Sequence, residues 1–220
     1  MTKPSATYEL QFTEEMKGWF TLGESDYTAG AAKGRADGTA VMFHLTISTD
    51  DVRRFIADRD HVASAAGWVG CDVLGGRLPV ERGVFNLFVD EGPSDRHMLY
   101  RLWFADSVGH PLTLAGFKDI HHADVTKVWP ETSTLYTRIL SGHVEADGDA
   151  AAPLIGSGVI HILKRDFVRQ LTTFRVSGPD LMGRVSAMLA FGNLFAGQLW
   201  QVFRPGRVRA RTPARVGRRY

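Results

Sequence analysis

The sequence predicts a mainly β protein, an antiparallel sandwich or barrel with a few short helices and a longer C-terminal helix. Three observations predict it. Short apolar, β-branched runs recur eight or nine times at close spacing, separated by Gly, Pro, Asp and Ser. Several of them alternate apolar and polar residues at period two, as a strand with one buried face must. The regular alternation of strands with long helices that marks a parallel α/β sheet is missing. Periodicity by itself does not separate a closed barrel from a two-sheet sandwich.

Each element has its local reason. Thr7–Phe20 begins with Tyr8, Leu10 and Phe12 on one face and Glu9, Gln11 and Thr13 on the other, which predicts a half-buried strand. Gly23–Gly38, rich in Gly, Ala, Asp and Ser, reads as a loop. Thr39–Ser48 is β-branched and aromatic, a second strand. Thr49, Asp50 and Asp51 then supply an N-cap and an acidic first turn, and Val52, Phe55 and Ile56 an apolar stripe, so a short helix is expected over Asp51–Arg59. Asp58–Ala66 reads as a polar connection, Trp68–Val73 as a strand, and Gly75-Gly76 as a turn.

The middle of the chain, Val84–Lys118, writes three apolar runs, Val84–Val89, Met98–Ala105 and Leu112–Phe117, as an antiparallel meander. Lys118–Pro130 reads as an exposed loop. Thr132–Leu140 and Gly158–Leu163 are further strands, Asp166–Phe174 a short helix, and Leu181–Phe203 a final helix capped by Ser177–Asp180 and ended by Pro205-Gly206. The division expected is one β-rich domain over 1–203 and a basic, disordered tail over 204–220.

Composition narrows the function classes. The formal net charge of the 220-residue chain is only +2, which argues against a body built to bind polyanions. Seven arginines between Arg204 and Arg219 crowd the tail, so the remainder is acidic, at −5. The tail lacks interleaved aromatics and predicts weak contact with anionic surfaces and no specific nucleic-acid recognition. The single cysteine, Cys71, excludes an intramolecular disulfide and a cysteine-based zinc site, which fits a reducing cytoplasm. No apolar region follows Met1–Ser5, so no signal peptide is expected, and no run approaches the roughly 20 apolar residues of a membrane-spanning helix.

The chain also echoes itself. Phe12–Gly18 and Tyr136–Gly142 share the order aromatic, Thr, variable pair, apolar, polar, Gly. Phe43-His44-Leu45 is followed by Asp50–Phe55 as Ile160-His161-Ile162 is followed by Asp166–Leu171. Two readings stand: a two-fold repeat with halves 8–60 and 132–176 joined by the meander, or the similarity any two strand–turn–helix units show.

Polar residues among apolar strand neighbours are the candidate ligand contacts: His44, Arg101, Tyr136, Arg138 and His161, with Trp103 beside Arg101. Each is also explained by a solvated face with the side-chain stem packed. Glu81 and Arg82, in the Gly75–Gly83 stretch before a strongly apolar strand, are candidates for the rim of a pocket, and Trp129–Thr134 is a second such rim. No metal site is expected, because His44, His161 and the adjacent His121-His122 do not make a convergent ligand set. Gly156-Ser157-Gly158 lacks the spacing of a nucleophile elbow, and no glycine-rich phosphate loop follows a strand, so no cofactor, nucleotide or flavin, is expected.

Four stretches, Phe12–Gly18, Gly75–Gly83, Leu99–Phe104 and Ser133–Thr137, together resemble an accessory domain found with large bacterial cholesterol-oxidase-like flavoproteins of the glucose-methanol-choline (GMC) oxidoreductase group. The resemblance covers about Tyr8 to Phe203. The flavin fingerprint and catalytic domain of those enzymes are missing here, so it carries over no catalytic residue. It implies an association with sterol or lipid metabolism and a flavoprotein partner.

Three functions follow as expectations. The first is a binding or accessory module for an apolar small molecule, sterol, lipid or polyketide-like. The second is a cofactor-free cyclase or isomerase with His44 or His161 carrying the proton and Arg101 or Arg138 stabilising an oxyanion, which requires these groups to converge on one point. The third is a structural module that forms homo-oligomers through the apolar final helix.

Overall fold

The computed structural model describes residues 6–90, 95–121 and 132–202. Of the two β architectures left open by periodicity, the chain adopts the closed barrel. Eight strands run in sequence order: β1 (Glu9–Leu22), β2 (Ala40–Thr49), β3 (Val62–Cys71), β4 (Gly76–Asp90), β5 (Asp95–Ala105), β6 (Pro111–His121), β7 (Thr134–Ser141) and β8 (Leu154–His161). Each pairs antiparallel with the next, and β1 pairs with both β2 and β8, which closes the ring. A three-residue strand, β9 (Arg175–Ser177), covers Glu9–Gln11 on the edge of β1 that β8 leaves at Lys17. Between these two pairings Thr13 N–H donates to Thr173 Oγ1 at 2.9 Å. Closure and this patch remove the unpaired edge that an open antiparallel sheet would present.

Among the described residues four α-helices accompany the barrel: α1 (Tyr27–Asp37), α2 (Val52–Ala57), α3 (Lys164–Leu171) and α4 (Leu181–Val202). The N-cap expected before α2 is present, with the Asp51 side chain accepting from Arg53 N–H. Alternation sorts the strand side chains. Along β1 Leu10, Phe12, Glu14, Met16 and Phe20 point inward, and along β5 Met98, Tyr100, Leu102 and Phe104 do so. One end of the barrel is packed solid by Phe20, Phe43, Leu45, Leu102, Phe104 and Leu114, all fully buried. The other end, under α2, α3 and α4, is not filled.

Several expectations are corrected. Gly23–Gly38 is not a loop, because α1 occupies most of it. Its apolar residues form no stripe, so periodicity does not reveal the helix. Two glycines one turn apart, Gly30 and Gly34, let it lie directly on the barrel. A Cβ at Gly30 would stand 2.2 Å from the Ser157 carbonyl oxygen, and one at Gly34 2.3 Å from that of Phe20. Asp58–Ala66 holds the start of β3, and Gly75–Gly83 is mostly the first half of β4, paired to β3 and β5. Lys118 is not in an exposed loop. It is 2% exposed, on the inward face of β6.

A bulge in β4 between Asn86 and Val89 breaks the alternation, and Phe88 takes φ +55°, so Leu87 and Phe88 are both buried in succession. Phe88 thereby meets Phe195 of α4, ring centres 5.7 Å apart. The helix is seated over the unfilled end by this contact and by Phe191 against Phe55 and Phe174, at 6.2 and 5.8 Å.

The two echoed units share an order, an antiparallel strand pair followed by a short helix, but differ in facing and register. Phe12 faces into the barrel, whereas Tyr136 stacks outside it on Phe117. His44 pairs across to Glu15, three residues after Phe12, whereas His161 pairs to Thr134, two residues before Tyr136. The 204–220 tail, His122 and the first half of the Trp129–Thr134 stretch, Trp129 to Glu131, lie outside the described residues.

Candidate functional site

The unfilled end of the barrel is a cavity of about 510 Å³. Leu10, Phe12, Ile47, Ala63, Phe85 and Met98 supply much of its wall, and Phe174, Met188, Phe191 and Phe195 close over it from the segment after α3 and from α4. Leu171, which lines the cavity and is 56% exposed, marks its mouth.

Three polar side chains from three strands meet on the inner wall. Glu14 of β1 accepts from Lys118 Nζ at 2.7 Å through Oε1 and from the Tyr100 hydroxyl at 2.7 Å through Oε2. Lys118 and Glu14 are 3% and 2% exposed at their side chains, and Lys118 Nζ sits 5.1 Å from the Tyr100 ring centre. Tyr100 is wedged between Phe43 and Phe85, at 5.6 and 4.9 Å. Burial, reinforced by the neighbouring Glu14 carboxylate, pushes the Tyr100 phenol well above its usual value, so it stays a donor.

Lys118 and Tyr100 satisfy one Glu14 oxygen each, which leaves the ammonium under-used. Lys118 Nζ carries three donors, and among the described residues Glu14 is its one hydrogen-bond acceptor. Across the cavity Gln170 Oε1, buried, has no hydrogen-bond partner among the described residues. Ser48, Thr49, Thr132 and Ser133 add hydroxyls to the lining. A largely apolar chamber therefore offers a donor on one wall and an acceptor on another, the pattern of a small-molecule site.

The eight candidates named from the sequence lie elsewhere, on the outer surface of the barrel. His44 Nδ1 is 3.1 Å from Glu15 Oε2 and its ring stacks on Trp68. His161 Nδ1 is 3.2 Å from Thr134 Oγ1. Arg101 makes a two-pronged pair with Asp149, at 2.8 and 2.7 Å, and donates to the Val144 carbonyl at 3.0 Å. Trp103 Nε1 donates to the same carbonyl at 3.0 Å, and Arg82 lies over the Trp103 ring at 3.6 Å while pairing with Glu145. Arg138 sits 4.7 Å from the centre of the Tyr27 ring, against which Tyr136 also rests. Glu81 is exposed, 3.8 Å from His143.

Arg101, Trp103 and Arg138 share an outer groove of about 330 Å³, but His44 and His161 are not part of it. The convergence that His/Arg acid–base chemistry requires is not what this arrangement provides. Of the rim residues expected from the sequence, Thr132 and Ser133 do reach the cavity.

Glu14, Tyr100, Lys118 and Gln170 were missed. A signal existed for the first and third. Glu14 continues the inward phase of Tyr8, Leu10 and Phe12, and Lys118 that of Leu112 and Leu114, so each is a charge written on an apolar face. What defines the molecule at this point is its class, an eight-stranded antiparallel closed barrel with an internal chamber holding a buried Glu–Tyr–Lys cluster. Comparison with protein-family models, curated proteins and solved structures finds no match to this chain.

Proposed function

We propose that this chain binds a neutral, mainly apolar small molecule inside the barrel, with a hydrogen-bond acceptor such as a carbonyl or hydroxyl oxygen directed at Lys118. The observation that carries the reading is the apolar chamber of about 510 Å³ with an under-coordinated ammonium on its wall. The charge balance narrows the ligand. Glu14 already neutralises Lys118, so a carboxylate ligand would bring an uncompensated charge into a low-dielectric space, whereas a neutral oxygen would take up an idle donor at little cost. Gln170 Oε1 suits a hydroxyl or amide N–H elsewhere on the same molecule.

The resemblance to the cholesterol-oxidase-associated domain makes sterols the first class to test and a flavoprotein the first partner; lipids and polyketide-like molecules share the required chemistry. The test is native mass spectrometry and solvent extraction of the purified full chain, followed by titration with neutral sterols and with long-chain carboxylates. Neutral ligands should bind, and Ala63→Trp, which fills the chamber, should abolish binding while the barrel keeps its cooperative melt. Equal binding by a folded Ala63→Trp variant, or no binding of any neutral apolar compound, would overturn the reading.

A further inference from the structure

We infer that the chamber's mouth docks onto an anionic bilayer surface, so that the two helices that bound it, α3 and α4, lie against lipid. Two independent observations point there.

The first is the distribution of exposed apolar side chains. Helix α4 is apolar on two faces. One face buries Ala187 and Phe191 against the body. The other presents Leu181, Met182, Val185 and Leu189, at 65, 79, 47 and 63% exposure, spaced so that they form one stripe. On α3, Val168 and Leu171 are 63 and 56% exposed, and Leu163 just before it is 39%. Of the eleven large hydrophobic side chains exposed among the described residues, these make seven, and they belong to the elements around one opening.

The second is charge. Residues 162–220 hold 12 of the 26 basic residues and two of the 24 acidic ones, a formal charge of +10, while residues 1–161 carry −8. Arg165, Arg169, Arg175 and Arg184 of this part are exposed, the first two on α3 and the last on α4. Of the two acidic groups, Asp180 accepts from Tyr8 at 2.6 Å, and Asp166 lies 3.5 Å from Arg165 and 4.0 Å from Lys17. The seven arginines from Arg204 onward continue the same chain directly after α4.

Apolar side chains set among arginines match the layered chemistry of an anionic membrane surface, where the first enter the headgroup boundary and the second meet lipid phosphates. Nucleic acid would use the arginines but leave the aliphatic stripe in water. A second copy of this chain would bury the stripe but set one +10 segment against another. The acidic remainder of the chain would be repelled by the same surface, which orients the molecule with its mouth to the lipid. No helix among the described residues is long and apolar enough to cross a membrane.

The experiment is flotation of the full chain with phosphatidylcholine vesicles and with vesicles containing phosphatidylglycerol, at low and high salt. Binding should require the anionic lipid, weaken with salt, and fall about tenfold or more in the exposed-face double variant Met182→Asp/Leu189→Asp, whose thermal melt should stay unchanged. Replacing the tail arginines by Gln in the full chain should weaken binding without abolishing it. Retention of full binding by the Asp double variant would overturn the inference, reducing the contact to adhesion by the tail. So would failure to float with either vesicle, preference for duplex DNA or RNA over anionic vesicles, or a stable dimer in light scattering that the Asp substitutions dissociate.

Discussion

Lys118 Nζ lies 2.7 Å from Glu14 Oε1 in the barrel interior, though the two residues stand 104 positions apart in the chain. The pair joins β1 to β6 across the inside of a closed ring. An ion pair so placed is costly to desolvate, and breaking it is costlier than removing it, because the survivor stays buried and unpaired.

Lys118→Met should therefore destabilise the protein by about 3–5 kcal/mol, the scale for orphaning a buried charge. Glu14→Gln/Lys118→Met should recover most of the loss, since the amide oxygen introduced in place of the carboxylate still accepts from Tyr100 and carries no charge. Urea denaturation of wild type, both single variants and the double variant checks it. A double variant no more stable than Lys118→Met would show that the charge is not what the fold tolerates poorly.

Tyr100 should resist alkaline ionisation. Its phenol is held well above the usual tyrosine value of 10.0, first by burial and then by Glu14. A raised folded-state value favours the protonated form in the native state. The contribution to stability is therefore complete below about pH 10 and is lost as pH climbs toward the folded-state value. Ultraviolet titration should show one tyrosine ionising only together with unfolding, and Tyr100→Phe should remove that step.

Cys71 is 2% exposed, and burial pushes its thiol up to about 11. The folded protein should not react with a disulfide reagent at pH 8, whereas urea-unfolded protein should react within seconds to minutes, because the thiolate is the reactive form. The sign follows the same rule as for Tyr100: this stabilisation is present below about pH 9 and fades as pH rises through about 11.

Gly34→Ala should destabilise by about 1–3 kcal/mol or more, since its Cβ would meet the Phe20 carbonyl oxygen at 2.3 Å and α1 would have to lift off the barrel. Gly192→Ala, on α4, meets nothing within 4 Å and should stabilise by about 0.5–1 kcal/mol through helix propensity. Thermal melts of the two variants should move in opposite directions.

Asp149→Ala should leave the Arg101 guanidinium, 15% exposed, without its two-pronged partner and loosen the Val144–Asp149 turn over Trp103. A loss of about 1–2 kcal/mol is expected. Hydrogen exchange at the Val144 amide, which donates to Thr113 Oγ1 at 2.9 Å, reports the turn separately from the barrel. Apolar-ligand binding in the chamber should be unaffected.

The sequence by itself determined the β class, the antiparallel meander, the capped helix after β2 and the long final helix, because each rests on local periodicity or on a cap a few residues wide. It also determined which side chains share a strand face, so that Arg101 and Trp103 fall opposite Tyr100. Which face is the inside was a different matter. That follows from closure, the pairing of β1 with both β2 and β8, and no local pattern encodes a contact between strands more than a hundred residues apart. Polar residues such as Arg101 and His44 looked like site residues because they interrupt apolar runs, yet the outer face supplies them with Asp149 and Glu15 as partners. Helix α1 was illegible for the converse reason: it is held by backbone contact through Gly30 and Gly34, so it needs no apolar stripe. Only the tertiary structure brought Glu14, Tyr100 and Lys118 to one wall and left the chamber beside them open, because a cavity is a property of how elements from distant parts of the chain fail to fill the space between them.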